Sequence, residues 1–216
     1  MIRVKLCGMT SPADVAACVA AGADALGFIF ARSPRRVTLQ DGRAQSLIAA
    51  VPPHVTSVGI FAGDEAALVR AALAACRLDM LQFAGGEDYE FCGSFGVPTL
   101  LVARRHGIGR EQRLIARAAA VLVDADVRGK AGGTGVLVDS GTFARIRAES
   151  PGARVLLAGG LNPDNVAGAI RALDPDGVDA RTGVEIDGAK DAGLAARFVS
   201  AARGAYDERA RARGGG

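Results

Sequence analysis

Val4-Lys5-Leu6-Cys7-Gly8-Met9-Thr10-Ser11-Pro12 contains the repeating unit of this chain. A short apolar strand stops on Cys7, a glycine turn follows, and Ser11-Pro12 opens a helix. Serine is a favoured cap, and proline fits the first helical turn. The same pattern continues outward from this stretch. Apolar or β-branched runs end near Phe30, Phe61, Phe83, Val102, Val123, Ala158 and Ala180. Helix-like segments lie near 12–21, 39–50, 65–76, 88–95, 110–118, 140–149, 163–173 and 190–203. Asp64 before Glu65 and Asn162 before Pro163 repeat the start signal.

Such alternation requires a parallel sheet, because each crossover returns the chain to the same end. Eight strands with eight helices predict an α/β chain folded as a single-domain (β/α)8 TIM barrel. The 216 residues suit the compact end of that class, about 200 rather than about 250 residues. A doubly wound open sheet is the alternative. It needs short or polar edge strands, and no run stands out as one. The barrel is expected over residues 1–203. Residues 204–216, with Arg209, Arg211 and Arg213 before the terminal glycines, read as a basic, solvated and disordered tail.

Composition narrows the function. Half the residues are hydrophobic, yet no apolar run is long enough to span a bilayer. Arg3 and Lys5 interrupt any signal-peptide pattern. Cys7, Cys18, Cys76 and Cys92 show no CxxC spacing, so neither a disulfide framework nor a metal site is indicated. A reducing cytoplasmic setting fits. The net charge of +3 is modest and scattered, so nucleic acid is not an expected partner. No membrane partner is expected either, and oligomeric state (monomer or homodimer) stays open.

In a barrel, residues just after the strands share one mouth. Here those residues are Cys7, the run Arg32-Ser33-Pro34-Arg35-Arg36, Asp124, the run Ala158-Gly159-Gly160-Leu161-Asn162, and the run from Asp179 through Arg181-Thr182-Gly183 to Glu185. Gly159-Gly160 lets backbone approach an anion, and Asn162-Pro163 points a helix N-terminus at it. Thr182-Gly183 lies at the matching point of the next repeat, where barrels commonly hold phosphate. Gly132-Gly133-Thr134-Gly135 reads as a loop able to close over a ligand. Arg35 or its neighbour Arg36 can clamp an anion with a guanidinium fork. Asp124 ends the apolar run Ala120-Val121-Leu122-Val123 at a rim suited to general-acid work, or else serves as a cap or ion-pair partner. Cys7 is either a base at this rim or a small buried hydrophobe.

These residues, taken in order, resemble phosphoribosylanthranilate isomerase. The resemblance rests on Lys5-Leu6-Cys7-Gly8-Met9-Thr10, Gly22-Ala23-Asp24-Ala25-Leu26-Gly27-Phe28-Ile29-Phe30, Ser33-Pro34-Arg35, Gly132-Gly133-Thr134-Gly135, Gly159-Gly160-Leu161-Asn162-Pro163-Asp164-Asn165-Val166 and Thr182-Gly183-Val184-Glu185. It runs from the first strand to about Arg203. It implies an Amadori rearrangement of a phosphorylated small molecule in tryptophan biosynthesis, with no metal or organic cofactor. It implies Cys7 as general base, Asp124 as general acid and Arg35 as the holder of the substrate's aromatic carboxylate. Gly132, Gly133, Gly159, Gly160, Arg181, Thr182 and Gly183 complete the expected substrate-binding set. Lys5, two residues before Cys7, is expected on the same inward face, where it and other cations lower the thiol's pKa.

Three places depart from the family pattern. Gln82-Phe83-Ala84-Gly85 stands for Q-L-H-G, Asp139-Ser140 for Asp-Trp, and Arg181-Thr182 for a serine pair. These departures keep two other readings open: a paralogue acting on a related aminated sugar phosphate, and a non-catalytic sugar-phosphate-binding barrel. His54 and His106 match no family position.

Overall fold

In the computed structural model, which describes residues 2–103, 118–124 and 138–214, eight parallel strands close into a barrel in chain order. They are β1 (Val4–Cys7), β2 (Ala25–Ile29), β3 (Thr56–Phe61), β4 (Met80–Phe83), β5 (Thr99–Ala103), β6 (Ala120–Asp124), β7 (Arg154–Ala158) and β8 (Gly177–Ala180). Closure comes from β1 against β8, with Lys5 in register with Asp179. The closed barrel, rather than the open sheet, is the arrangement adopted.

Seven helices surround it among the described residues: α1 (Pro12–Ala20), α2 (Arg43–Ala49), α3 (Ala66–Ala75), α4 (Tyr89–Gly93), α5 (Ser140–Ala148), α6 (Val166–Leu173) and α7 (Ala192–Gly214). The helix expected at 110–118 falls almost wholly outside the described residues. None of the seven is long and apolar enough to cross a membrane.

Local chemistry explains the helix starts. Ser11 caps α1 through the Asp14 N–H, and the Asp14 carboxylate accepts the Ser11 N–H in return. At α3 the expected signal is displaced: Glu65 occupies the cap position, and the Asp64 carboxylate turns back to accept the Ala62 N–H. Asn162 accepts the N–H groups of Asp164 and Asn165, so it closes the turn leading into α6 rather than capping the helix itself.

Side-chain alternation sorts the strands into two layers. Leu6, Leu26, Phe28, Phe61, Leu81, Val121, Leu157 and Val178 face outward into the helix-packed core. Cys7, Ala25, Ile29, Val58 and Ile60 face inward on one side of the barrel, and Leu100, Ala120, Leu122, Leu156 and Ala158 on the other. Phe30 stacks on Phe61 at 5.2 Å between ring centres, and Phe83 continues the row to Phe91 and Phe95. Each such pair adds about 1 kcal/mol beyond its burial.

The end of the barrel opposite the mouth is clipped by a repeated device absent from the sequence reading. Asp24, just before β2, accepts the N–H groups of Arg3 and Val4 at the start of β1. Asp79 does the same for Ser57 of β3, and Asp176 for Val155 of β7. Each carboxylate thus satisfies backbone donors that a strand end leaves open.

The expectation of a disordered tail from residue 204 is corrected. Helix α7 continues to Gly214, with Ala205 and Tyr206 buried in the core. The Tyr206 ring sits between the guanidinium groups of Arg3 and Arg209, at 5.5 and 5.2 Å. Arg209 and Arg213 both pair with Asp174. Two of the three arginines that read as a solvated charge run thus tie the helix end to Asp174, because an apolar pair upstream in the same helix docks on the barrel.

Candidate active site

Cys7 is the last residue of β1 and points inward, buried at 6 % exposure. Gly27 on β2 makes room for it: a Cβ there would lie 3.2 Å from both the Cys7 Cα and Sγ. Burial pushes the Cys7 thiol above its ordinary pKa, and the Asp179 charge adds to this. Lys5, Lys190 and Arg181 act in the opposite direction without overcoming burial. The cations act on the thiol in the expected direction, Lys5 most of all, but desolvation outweighs them and the net shift is upward.

Lys5 does share the inward face with Cys7. It is wholly buried, and its Nζ donates to Asp179 Oδ1 at 2.9 Å. Burial alone would lower the pKa of this lysine, yet the Asp179 charge and a contribution from Cys7 raise it instead. A charged ammonium and a carboxylate thus sit directly beneath the thiol.

Asp124 ends β6 on the same inward alternation as Ala120 and Leu122, partly exposed at the mouth. In the barrel order β6-β7-β8-β1, the two strands between it and Cys7 set the residues apart across the opening.

Of the two adjacent arginines, Arg35 is the one that reaches the site. Its Nε donates to Glu185 Oε1 at 3.1 Å and its Nη2 to Glu185 Oε2. Arg36 is exposed and joins the barrel rim through a backbone bridge to Ile29. Glu185 also takes Lys190 Nζ at 2.7 Å, and the same ammonium donates to the Arg181 carbonyl at 2.9 Å. The Lys190 side chain is buried, and its backbone N–H donates to Asp14.

The paired glycine loops are brought together. Gly159 and Gly160 take positive φ after β7. A Cβ on Gly183 would lie 1.9 Å from the Leu161 carbonyl oxygen, so only glycine lets these two backbones meet. Asn165 holds the first loop by donating to the Gly160 carbonyl and accepting the Asn162 N–H. Thr182 and Gly183 form a single 3₁₀ turn after β8. Gly132 and Gly133, with the rest of their loop, lie outside the described residues, as do His106 and Asp126.

At β4 the mouth carries Ala84, whose N–H donates to Phe61. Glu87 nearby is committed to the backbone of Gly63 and Gly85. Inward-facing Gln82 keeps its side-chain oxygen buried and without a hydrogen-bond partner. His54 is exposed, before β3 at the opposite end of the barrel. Among the described residues no group of three or more His, Cys, Asp or Glu side chains is placed to hold a metal ion.

Three participants escaped the sequence reading in their present roles: Asp179 as partner of Lys5, Glu185 as partner of Arg35, and Lys190. Strand alternation could have found the first pair, since Lys5 and Asp179 are both inward positions. Lys190 carried no signal, because its placement depends on the antiparallel pairing of Glu185–Ile186 with Ala189–Lys190.

Comparison with known proteins agrees with this geometry. The model of the N-(5'-phosphoribosyl)anthranilate (PRA) isomerase family matches residues 4–201. The chain is 41% identical over 208 residues to the N-(5'-phosphoribosyl)anthranilate isomerase of Acidithiobacillus ferrooxidans, covering 94% of this chain and 98% of that one. It is 42% identical over 210 residues to the enzyme of that name from Thiobacillus denitrificans, with the same coverage. The crystal structure of phosphoribosyl anthranilate isomerase from Thermotoga maritima superposes with a TM-score of 0.82 at 29% identity, covering 94% of this chain and all (100%) of that one. A structure of phosphoribosyl anthranilate isomerase in complex with reduced 1-(o-carboxyphenylamino)-1-deoxyribulose 5-phosphate superposes with a TM-score of 0.78 at 28% identity, again over 94% and 100% of the two chains. The chain belongs to the phosphoribosylanthranilate isomerase family.

Proposed function

We infer that this chain catalyses the Amadori rearrangement of N-(5'-phosphoribosyl)anthranilate to 1-(2-carboxyphenylamino)-1-deoxyribulose 5-phosphate in tryptophan biosynthesis. The observation that carries the reading is the family match across residues 4–201, which spans Cys7, Arg35, Asp124 and both glycine loops.

The residues suit the chemistry in order. Asp124 as general acid protonates the ribose ring oxygen, and the ring opens to a protonated Schiff base. Cys7 as thiolate takes the proton from C2, so electrons flow to the iminium nitrogen and an enolamine forms. Tautomerisation then gives the aminoketone. Acid and base on different strands let each hold its own protonation state. Both are side chains, so the route calls on no metal or organic cofactor.

The product-side anions have separate homes. Gly159, Gly160, Thr182 and Gly183 suit the phosphate, by backbone approach and the helix beyond Asn162. Arg35, presented on Glu185, keeps Nη1 clear of that pairing for the aromatic carboxylate. Gly132 and Gly133 complete the expected binding set. The family includes a dimeric enzyme from Thermotoga maritima from which monomers were generated, and for this chain a monomer or homodimer in the cytoplasm fits, with no nucleic-acid or membrane partner.

The test follows loss of substrate fluorescence with freshly made phosphoribosylanthranilate, for wild type, Cys7→Ala and Asp124→Asn. Turnover by wild type and its loss in both variants is expected. Absence of turnover in wild type would instead favour a related aminated sugar phosphate.

A further inference from the structure

Gly8 has a φ of +85°, and a Cβ on it would meet Arg35 Cδ at 3.1 Å and Arg181 Cγ and Cδ at 3.4 and 3.6 Å. Two arginine stems therefore converge on the residue that follows Cys7. Their surroundings differ. The Arg35 guanidinium is held edge-on by a buried carboxylate, Glu185. No carboxylate among the described residues pairs with the Arg181 guanidinium. Among the described residues, Arg181 is a positive charge at this part of the mouth without a carboxylate partner, in addition to the one that Arg35 and Lys190 leave over their shared Glu185.

Its direction is set by the fold. Arg181 leaves the end of β8, and its carbonyl is fixed by the buried Lys190 ammonium. From there the side chain crosses β1 at Gly8 toward Arg35, on the loop after β2. The cradle glycines Gly159 and Gly160 follow β7, on the other side of β8. The Arg181 stem thus leans away from the phosphate end and toward the end where Arg35 stands. Its charge also reaches Cys7, where it acts to favour the thiolate.

We propose that Arg181 is a second carboxylate-binding cation, which together with Arg35 selects substrates bearing an aromatic carboxylate. This rests on the isomerase reading. Two guanidinium groups on one carboxylate satisfy more of its lone pairs than one fork can. Glu185 is shared between Arg35 and Lys190, so that cluster keeps one positive charge, and Arg181 adds a second beside it that an incoming carboxylate neutralises.

The test compares two ligands in direct binding: reduced 1-(o-carboxyphenylamino)-1-deoxyribulose 5-phosphate and its phenylamino analogue, which lacks only the carboxylate. Arg181→Ala is expected to weaken the first about tenfold, the scale of one hydrogen bond to a charged group. It should leave the second within about twofold, and Arg181→Lys should recover part of the loss. In turnover the same variant should raise KM by a similar factor with little change in kcat. Equal weakening of both ligands would place Arg181 on the phosphate and overturn the proposal. A fall in kcat at unchanged KM would assign it to Cys7 instead. Wild type that binds neither ligand would overturn the isomerase reading itself, whereas wild type that binds both, with Arg181→Ala indifferent, overturns only this inference.

Discussion

The ammonium of Lys5 lies 2.9 Å from the carboxylate of Asp179, with the lysine wholly buried one inward step below Cys7. This pair joins β1 to β8 at the closure of the barrel, and it ties the charge balance of the interior to the thiol at the mouth. Lys5→Met leaves the Asp179 carboxylate buried without its cation, which is expected to lower unfolding free energy by about 3 kcal/mol. It also removes the cation with the largest favourable action on the thiolate, so the Cys7 pKa should climb further. Denaturant unfolding and thiol titration read the two effects separately, and an unchanged thiol pKa would remove Lys5 from any role in tuning Cys7.

The raised pKa of Cys7 gives a pH dependence of definite sign. A thiol at the reference value titrates near 9.0, and this one titrates higher because it is buried. Alkylation of Cys7 by iodoacetamide should therefore be slow at neutral pH and reach half of its plateau rate only above pH 9.0, where a thiol at the reference value reaches half of its own. Mass spectrometry of the labelled peptide over a pH series gives the curve.

Gly27→Ala places a methyl group 2.9 Å from Ile60 Cδ1 and 3.2 Å from the Cys7 sulfur. The fold should tolerate it at a cost of about 1–3 kcal/mol, as overpacking does. The displaced thiol is expected to cost far more in turnover, about a hundredfold in kcat, because small misplacements of a reacting group are that costly. Steady-state kinetics beside a melting curve would show whether activity falls while the fold survives.

Asp14 gathers four donors: the Thr10 N–H and hydroxyl, the Ser11 N–H and the Lys190 N–H. Burial alone would raise its pKa, but these bonds hold it below the ordinary 3.8. The folded state then binds the proton less readily than the unfolded one. Its stabilisation is present above pH 3.8 and is lost as the pH falls toward the depressed value. Asp14→Asn should cost about 2 kcal/mol at neutral pH and flatten the acid side of the stability curve, as measured by urea unfolding between pH 7 and pH 3.

Tyr206 tests the corrected reading of the C-terminal helix. Its ring is buried between Arg3 and Arg209, so Tyr206→Ala should destabilise the barrel by about 3 kcal/mol. A solvated tail would make that substitution silent in thermal melting.

Much of this molecule was legible in its sequence because one rule repeats. Strand, turn and helix alternate, and right at each strand's end the chain exposes what it carries: Cys7, Asp124, Gly159-Gly160 and Thr182-Gly183 could be placed at one mouth from order alone. The family motifs then named the chemistry. The tail was misread because three arginines outweigh Ala205 and Tyr206 in any local view, and helix propensity does not reveal that a ring will dock between two guanidinium groups. The choice between Arg35 and Arg36 was equally invisible. Both are one short loop from β2, and only the hairpin that buries Glu185 and Lys190 decides which is held at the mouth.

Sequence alone therefore determined the barrel, its order and the residues that line its rim, since hydrophobic period and turn chemistry act locally. Tertiary structure decided the charge state and company of those residues: a Cys7 thiol raised by burial, Lys5 held by Asp179, Arg35 and Lys190 sharing Glu185, and Arg181 with no carboxylate partner among the described residues. Those are sums over desolvation and over partners far apart in the chain, Lys5 and Asp179 by 174 residues and Arg35 and Glu185 by 150, and such sums exist only once the barrel has closed.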